Sequence, residues 1–197
     1  MIWNMKRILL YIFVFIPVVL SAQTELEMFL SQRDSLQKSY IGRPFSEFRA
    51  ITLDGKIITD KSLRGKVTIM NFWIQGCAPC MAEFEALSEL YYKYKDNPEF
   101  QFLSFSHNPV EIVEKVVEAN QLPFMVCLVS EEKCNRLING SGFPVNIIVD
   151  RSGRIIYYKT GGYTAKKKVK EALKPMEELV AESLKGIRRP GKITMRN

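Results

Sequence analysis

Hydrophobic residues in this chain fall into two kinds of pattern that take turns along its length. Short, nearly continuous apolar runs at 67–73, 100–105, 124–129 and 145–149 have the length and the β-branched or aromatic content of buried strands. Between them lie stretches at helical spacing; within 81–94 the stripe is Phe84, Leu87, Tyr91 and Tyr94. Further helices are predicted at 110–119 and 131–138, and a last one from Ala165 to about Leu184. Asp150-Arg151-Ser152-Gly153 turns the 145–149 run back into a strand at 154–159. Upstream, 48–53 and 56–59 flank Asp54-Gly55, the mark of a tight β-hairpin. Leu26, Phe29, Leu30 and Leu36 give a weaker helical pattern that stops at Ile41-Gly42-Arg43-Pro44. Strands alternating with helices imply an α/β domain with parallel pairing in a central sheet, which the final hairpin makes mixed.

The first residues have a different grammar. Lys6-Arg7 precede an apolar run from Ile8 to Leu20, interrupted only by Pro17, and Ser21-Ala22-Gln23 closes it with small residues. This is the layout of an export signal, and the run is short for a membrane-spanning helix. Leu20 or Val19 falls at the minus-three position of the cleavage box, so an uncleaved anchor stays open beside a cleaved leader. Both put the rest of the chain outside the cytoplasm. The expected layout is 1–22 signal or anchor, 23–40 helical segment, 41–184 main domain and 185–197 basic flexible tail. Formal net charge is +7, but two of those charges belong to the leader and many others to Lys166-Lys167-Lys168 and the tail. No aromatic interleaving accompanies them, so they read as solvated faces, and nucleic-acid binding is not expected.

Candidate chemistry sits at the junction of the 67–73 strand and the helix after it: Cys77-Ala78-Pro79-Cys80. With Cys77 at the N-cap and Pro79 in the first turn, the missing proline N–H costs little. The Cys80 N–H can then point at the Cys77 sulfur. Unpaired donors and the positive end of the helix dipole favour thiolate there, and thiolate is the species that attacks a disulfide. Cys77 would attack, and the deeper Cys80 would resolve the mixed disulfide. A zinc half-site would need a second ligand pair, but Cys127 and Cys134 are six residues apart and His107 is the lone histidine. No metal site is expected. Cys127 and Cys134 read either as small buried hydrophobes or as a disulfide pair. His107 follows the 100–105 strand and reads as a surface loop residue, with an approach to the cysteine-bearing end of the sheet as the alternative.

Taken with two downstream motifs, Gly142-Phe143-Pro144 and Ile148-Val149-Asp150-Arg151-Ser152-Gly153, the strand Asn71-Phe72-Trp73 and its cysteine pair resemble the thioredoxin superfamily. The similarity runs from about Ile41 to Leu184, and the N-terminal hairpin fits the exported TlpA/ResA-like thiol-disulfide oxidoreductases. The resemblance implies a thioredoxin-like mixed sheet flanked by helices, with an N-terminal β-hairpin extension. It implies that Pro144 is cis, whereas a trans proline is the general expectation. Phe143 and Pro144 would then face the cysteines and, with Trp73, Gly76, Ala78 and Pro79, bind substrate. It also implies a proton-partner role for Glu83, because the strand position where cytosolic thioredoxins carry a buried aspartate is Asn71 here. The plain alternative for Glu83 is an acid stabilising the first turns of its helix. Gly76 and Val145 depart from the tryptophan and threonine common in relatives, which changes the rim of the site.

The function this implies is reduction of selected protein disulfides outside the cytoplasm, an apocytochrome c among the candidates. Electrons would come from a membrane thiol donor, without cofactor, and the protein is expected to act as a monomer. Two alternatives stand beside it: a disulfide oxidase or isomerase, and a thioredoxin-fold binding module that catalyses nothing. A peroxide-reducing enzyme fits less well, because the reactive group is a CxxC pair at a strand end.

Overall fold

The computed structural model describes residues 25–186. The leader at 1–22 and nearly all of the basic tail lie outside the described residues. The chain divides into two compact units at Ser39/Tyr40. The first holds all but the last residue of helix α1 (25–40), whose Leu26, Met28, Phe29 and Leu36 side chains are exposed. No helix among the described residues is long and apolar enough to cross a membrane.

The second unit is built on one sheet of seven strands: β1 (Arg49–Thr52), β2 (Ile57–Thr59), β3 (Val67–Phe72), β4 (Phe100–Ser106), β5 (Met125–Leu128), β6 (Val145–Val149) and β7 (Ile155–Thr160). Their spatial order is β2-β1-β5-β4-β3-β6-β7. Four helices accompany them: α2 (Ala78–Tyr94), α3 (Val110–Asn120), α4 (Glu131–Leu137) and α5 (Lys166–Leu184). A short 3-10 turn over Asp60–Leu63, absent from the sequence-based expectation, leads into β3.

Every residue of β3 is buried, as a strand covered on both faces requires. Side chains alternate between two cores. Val67, Ile69 and Trp73 join residues of α2, α3 and α5 on one face. Met70 and Phe72 join α4 and the N-terminal Phe45 and Phe48 on the other. Stacked rings at Phe102–Phe124 and Phe72–Phe105 fill the two layers. Each such side chain contributes about 1.5–3 kcal/mol on burial. Helix α5 runs through Pro175, which is exposed, because Val169, Leu173, Met176 and Val180 keep one buried stripe on both sides of it. Lys166 of the basic run and Lys170 just beyond it pair with Glu85 and Glu89 of α2, so part of the basic charge is spent within the fold.

The sheet is more mixed than a final hairpin alone would make it. Only β3–β4 and β4–β5 are parallel; β1–β5, β3–β6 and β6–β7 are antiparallel. The reason lies in α4. Its seven residues rise only about 10 Å, too little to carry the chain back along the sheet for another parallel strand. Strand β6 therefore enters from the end where β3 leaves. Val145 pairs with Phe72, which puts Pro144 opposite Trp73, beside the loop that carries the cysteines.

Candidate active site

Beyond β3 the chain passes through Gly76, whose φ of +80° is the left-handed conformation that glycine adopts without a Cβ penalty. The amide of Gln75 donates to Asn108 Oδ1 at 2.7 Å, which ties this loop to the one after β4. Cys77 then takes the N-cap of α2, with extended backbone, and its sulfur accepts the Cys80 N–H at 3.3 Å. Pro79 sits in the first turn. Cys77 and Cys80 are joined as a disulfide, with 5.3 Å between their Cα atoms. Cys77 is half-buried, whereas Cys80 is fully enclosed. An incoming disulfide can reach the first sulfur and not the second.

The Phe143–Pro144 peptide bond is cis. Pro144 is buried and Phe143 half-buried, and the Pro144 carbonyl accepts the Gly161 N–H at 2.8 Å. The His107 ring lies 5.7 Å from that of Phe143, so the histidine is at this end of the sheet and half-buried rather than a free loop residue. Gly76 and Ala78 are exposed and Pro79 half-buried. Trp73 differs from the expectation of a substrate contact. Its side chain is wholly buried, edge-on to Phe84, and its indole N–H turns inward to Ser104. It therefore supports the site from beneath, since β3 carries it into the core before the cysteine loop begins.

Glu83, one turn beyond Cys80, is 3% exposed. Its Oε2 accepts the Asn146 side-chain N–H at 2.8 Å. Burial raises the carboxyl to about 7, against the opposing pull of that hydrogen bond and of the Lys159 charge. A first-turn surface acid would show none of this. The nearby Tyr157 hydroxyl is held above its ordinary range by burial and by Glu83. Asn146, Lys159 and Tyr157 escaped the sequence reading, because they lie at least 63 positions downstream of Glu83 in a strand pattern that reads only as apolar.

Gly162 also escaped it. A β-carbon there would stand 2.7 Å from Glu83 Oε1 and 3.0 Å from Pro144 Cγ. We expect Gly162→Ala to push the carboxyl off Asn146 and to slow thiol–disulfide exchange roughly tenfold, within the loss a misplacement of about 1 Å brings. Stopped-flow exchange rates for the two proteins measure this; equal rates would mean that the site absorbs the methyl group.

Cys127 and Cys134 do not pair. Each is free and enclosed in the core on the α4 face, Cys127 from β5 and Cys134 from α4. Burial pushes both thiols up to about 12. In folded, oxidised protein at pH 8, neither should be alkylated, and both should be after unfolding. Mass spectrometry counts the adducts; native labelling at the rate of a free thiol would refute the burial argument.

Residues 41–158 match the AhpC/TSA family. The chain belongs to the AhpC/TSA family. Within this thioredoxin-like family it is 29% identical over 174 residues to thiol-disulfide oxidoreductase ResA of Bacillus cereus (strain ATCC 10987 / NRS 248), covering 86% of this chain and 98% of the relative. It is 28% identical over 161 residues to ResA of Bacillus anthracis, covering 81% of this chain and 92% of that one. Its fold is similar to that of a thiol:disulfide interchange protein from Bacteroides sp., with a TM-score of 0.61 and 23% identity over 74% of this chain and 93% of the other. AhpC/TSA membership thus agrees with the thioredoxin-like architecture on which the cysteine pair is mounted.

Proposed function

We propose that this protein, a thiol-disulfide oxidoreductase, acts outside the cytoplasm as a reductant of selected protein disulfides. The observation that carries the reading is the pair of environments around the cysteines: an accessible sulfur at a helix N-cap, and an enclosed one a single turn inside. The names of the ResA relatives support the same class.

In the reduced protein, the Cys77 thiolate attacks a substrate disulfide. One S–S bond forms between Cys77 and the substrate, and the first substrate sulfur leaves as thiolate. Glu83 takes the Cys80 proton, and the Cys80 sulfur attacks the Cys77 sulfur. That forms the intramolecular disulfide and releases the second substrate sulfur. Two electrons pass from the pair to the substrate. A carboxyl that titrates near neutrality suits this proton transfer, because it holds and gives up a proton at working pH. The cis bond leaves the Phe143 backbone, with Gly76, Ala78 and Pro79, as the surface on which an extended substrate segment rests. We assign 41–184 as the catalytic domain, 1–22 as leader or anchor, 23–40 as a helical spacer and 185–197 as a basic tail. An apocytochrome c is one fitting substrate, and a membrane thiol protein the fitting donor.

Direction is tested by equilibrating the pair with glutathione. A potential near that of thioredoxin, about −270 mV, supports a reductant; one near that of DsbA, about −120 mV, makes the protein an oxidase. Failure to reduce insulin would leave the non-catalytic binding module as the better reading.

A further inference from the structure

The buried Trp73 indole and three buried polar side chains, none of them used in the exchange steps, form a single file across the sheet to Glu83. Ser104, Asn71 and Asn146 occupy directly opposed positions on the adjacent strands β4, β3 and β6. The first two are fully enclosed and Asn146 is 2% exposed. The Trp73 indole N–H donates to Ser104 Oγ at 2.8 Å, and the Ser104 hydroxyl donates to Asn71 Oδ1 at 3.3 Å. The Asn71 amide donates to Asn146 Oδ1 at 2.9 Å, and the Asn146 amide donates to Glu83 Oε2 at 2.8 Å.

Every bond in this file points the same way, and the far end dictates that direction. An indole N–H can only donate, so Ser104 must accept from Trp73, and its hydroxyl hydrogen is free for Asn71. Asn71 then presents its oxygen to Ser104 and its NH2 to Asn146. Asn146 in turn presents its oxygen to Asn71 and its NH2 to Glu83. Flipping either amide would set oxygen against oxygen in the file. Reversing the whole file would strip the Ser104 hydroxyl hydrogen of this acceptor and would need a protonated Glu83 as donor.

We infer that Asn146, oriented by the Trp73–Ser104–Asn71 ladder, is the positioning residue that aims the Glu83 carboxyl and favours its ionised form. The inference rests on the proton-partner reading of Glu83 given above, and it adds the apparatus that holds that group. The other charged or titratable groups whose charge couples to Glu83 are Lys159 and Tyr157 of β7, and the cysteines of its own helix are joined as a disulfide and do not titrate. Lys159 favours the anion through its charge, and the Asn146 bond holds Glu83 Oε2 by direct contact.

The test is the titration of the Glu83 carboxyl, followed by carbon NMR in the full chain with the Cys77–Cys80 disulfide intact, so that the thiols do not titrate. Asn146→Leu removes the donor and should raise the midpoint by about one pH unit or more, as expected for loss of a hydrogen bond to a charged group. Ser104→Ala touches neither Glu83 nor the thiols. It frees both amides to flip and should raise the same midpoint by a smaller amount. An unchanged midpoint in Asn146→Leu overturns the inference. If that variant does not fold, Ser104→Ala decides: a raised midpoint supports the ladder and an unchanged one overturns it. Exchange kinetics of wild type and Glu83→Gln test the parent reading separately, because the carboxyl titration reports on the ladder whether or not Glu83 serves the thiols.

Discussion

Cys77→Ser protein will reduce disulfides no faster than the uncatalysed background, while Cys80→Ala will complete the first step and stop there. The difference follows from where the sulfurs lie. Cys77 is half-buried at the N-cap, its sulfur receiving a backbone N–H, so its thiolate is both stabilised and reachable. Cys80 is enclosed, so it meets the Cys77 sulfur and not an incoming disulfide. Without Cys80 the mixed disulfide has no internal exit, so the substrate stays attached. In reduced wild-type protein, Cys77 should be alkylated about ten times faster than Cys80 or more, reflecting its thiolate character and access. Peptide mapping after timed alkylation checks the second result, and non-reducing gels of Cys80→Ala with a disulfide substrate check the first. Equal labelling of both cysteines, or an adduct on Cys80, would reverse the two roles.

Glu83→Gln will gain stability relative to wild type as pH rises from 5 to 8. The ordinary carboxyl value of 4.5 is raised to about 7 in the fold, chiefly by burial. Between those values the unfolded chain has lost its proton while the folded chain keeps it. The native state thus binds more protons, and stability falls with rising pH across this window. Above about 7 the folded protein carries a buried carboxylate at a constant cost on the order of 3 kcal/mol, because each pH unit between the folded and unfolded midpoints corresponds to about 1.4 kcal/mol. Glutamine has no such titration, and its oxygen can still accept from Asn146. Urea unfolding of both proteins in the oxidised state, at pH 5 and pH 8, isolates the effect because all other groups cancel in the comparison. Parallel stability curves would mean that the carboxyl ionises as if exposed. Wild type is expected to change its exchange rate near neutrality as Glu83 titrates, and the Gln variant is expected to lose that component.

Much of the architecture was legible along the chain because strand runs and helix stripes are local signals. Val67–Phe72, Phe100–Ser106, Val145–Val149 and the helix after the cysteines each announce themselves by period and by the turns that bound them. The hairpin at Asp54-Gly55 was legible because a glycine at φ +80° is what that turn demands. Strand direction was less so. Whether β6 runs with or against β3 depends on how far α4 carries the chain, and periodicity is silent on that.

The cysteine pair is likewise a local feature. Its sequence decides the N-cap, the proline in the first turn and the three-residue separation that brings the Cys80 N–H to the Cys77 sulfur. The rest of the site is made by strands far apart in sequence. Asn71, Ser104 and Asn146 each look like an isolated polar residue in an apolar run, and only the register of β4, β3 and β6 turns them into a file that ends on Glu83. Gly162 reads as a loop glycine until folding sets it against Glu83 and Pro144. The sequence by itself therefore determined which sulfur caps α2, because helix capping acts over three residues. Tertiary structure alone decided the setting of Glu83, because desolvation and hydrogen bonding depend on which side chains the sheet brings together.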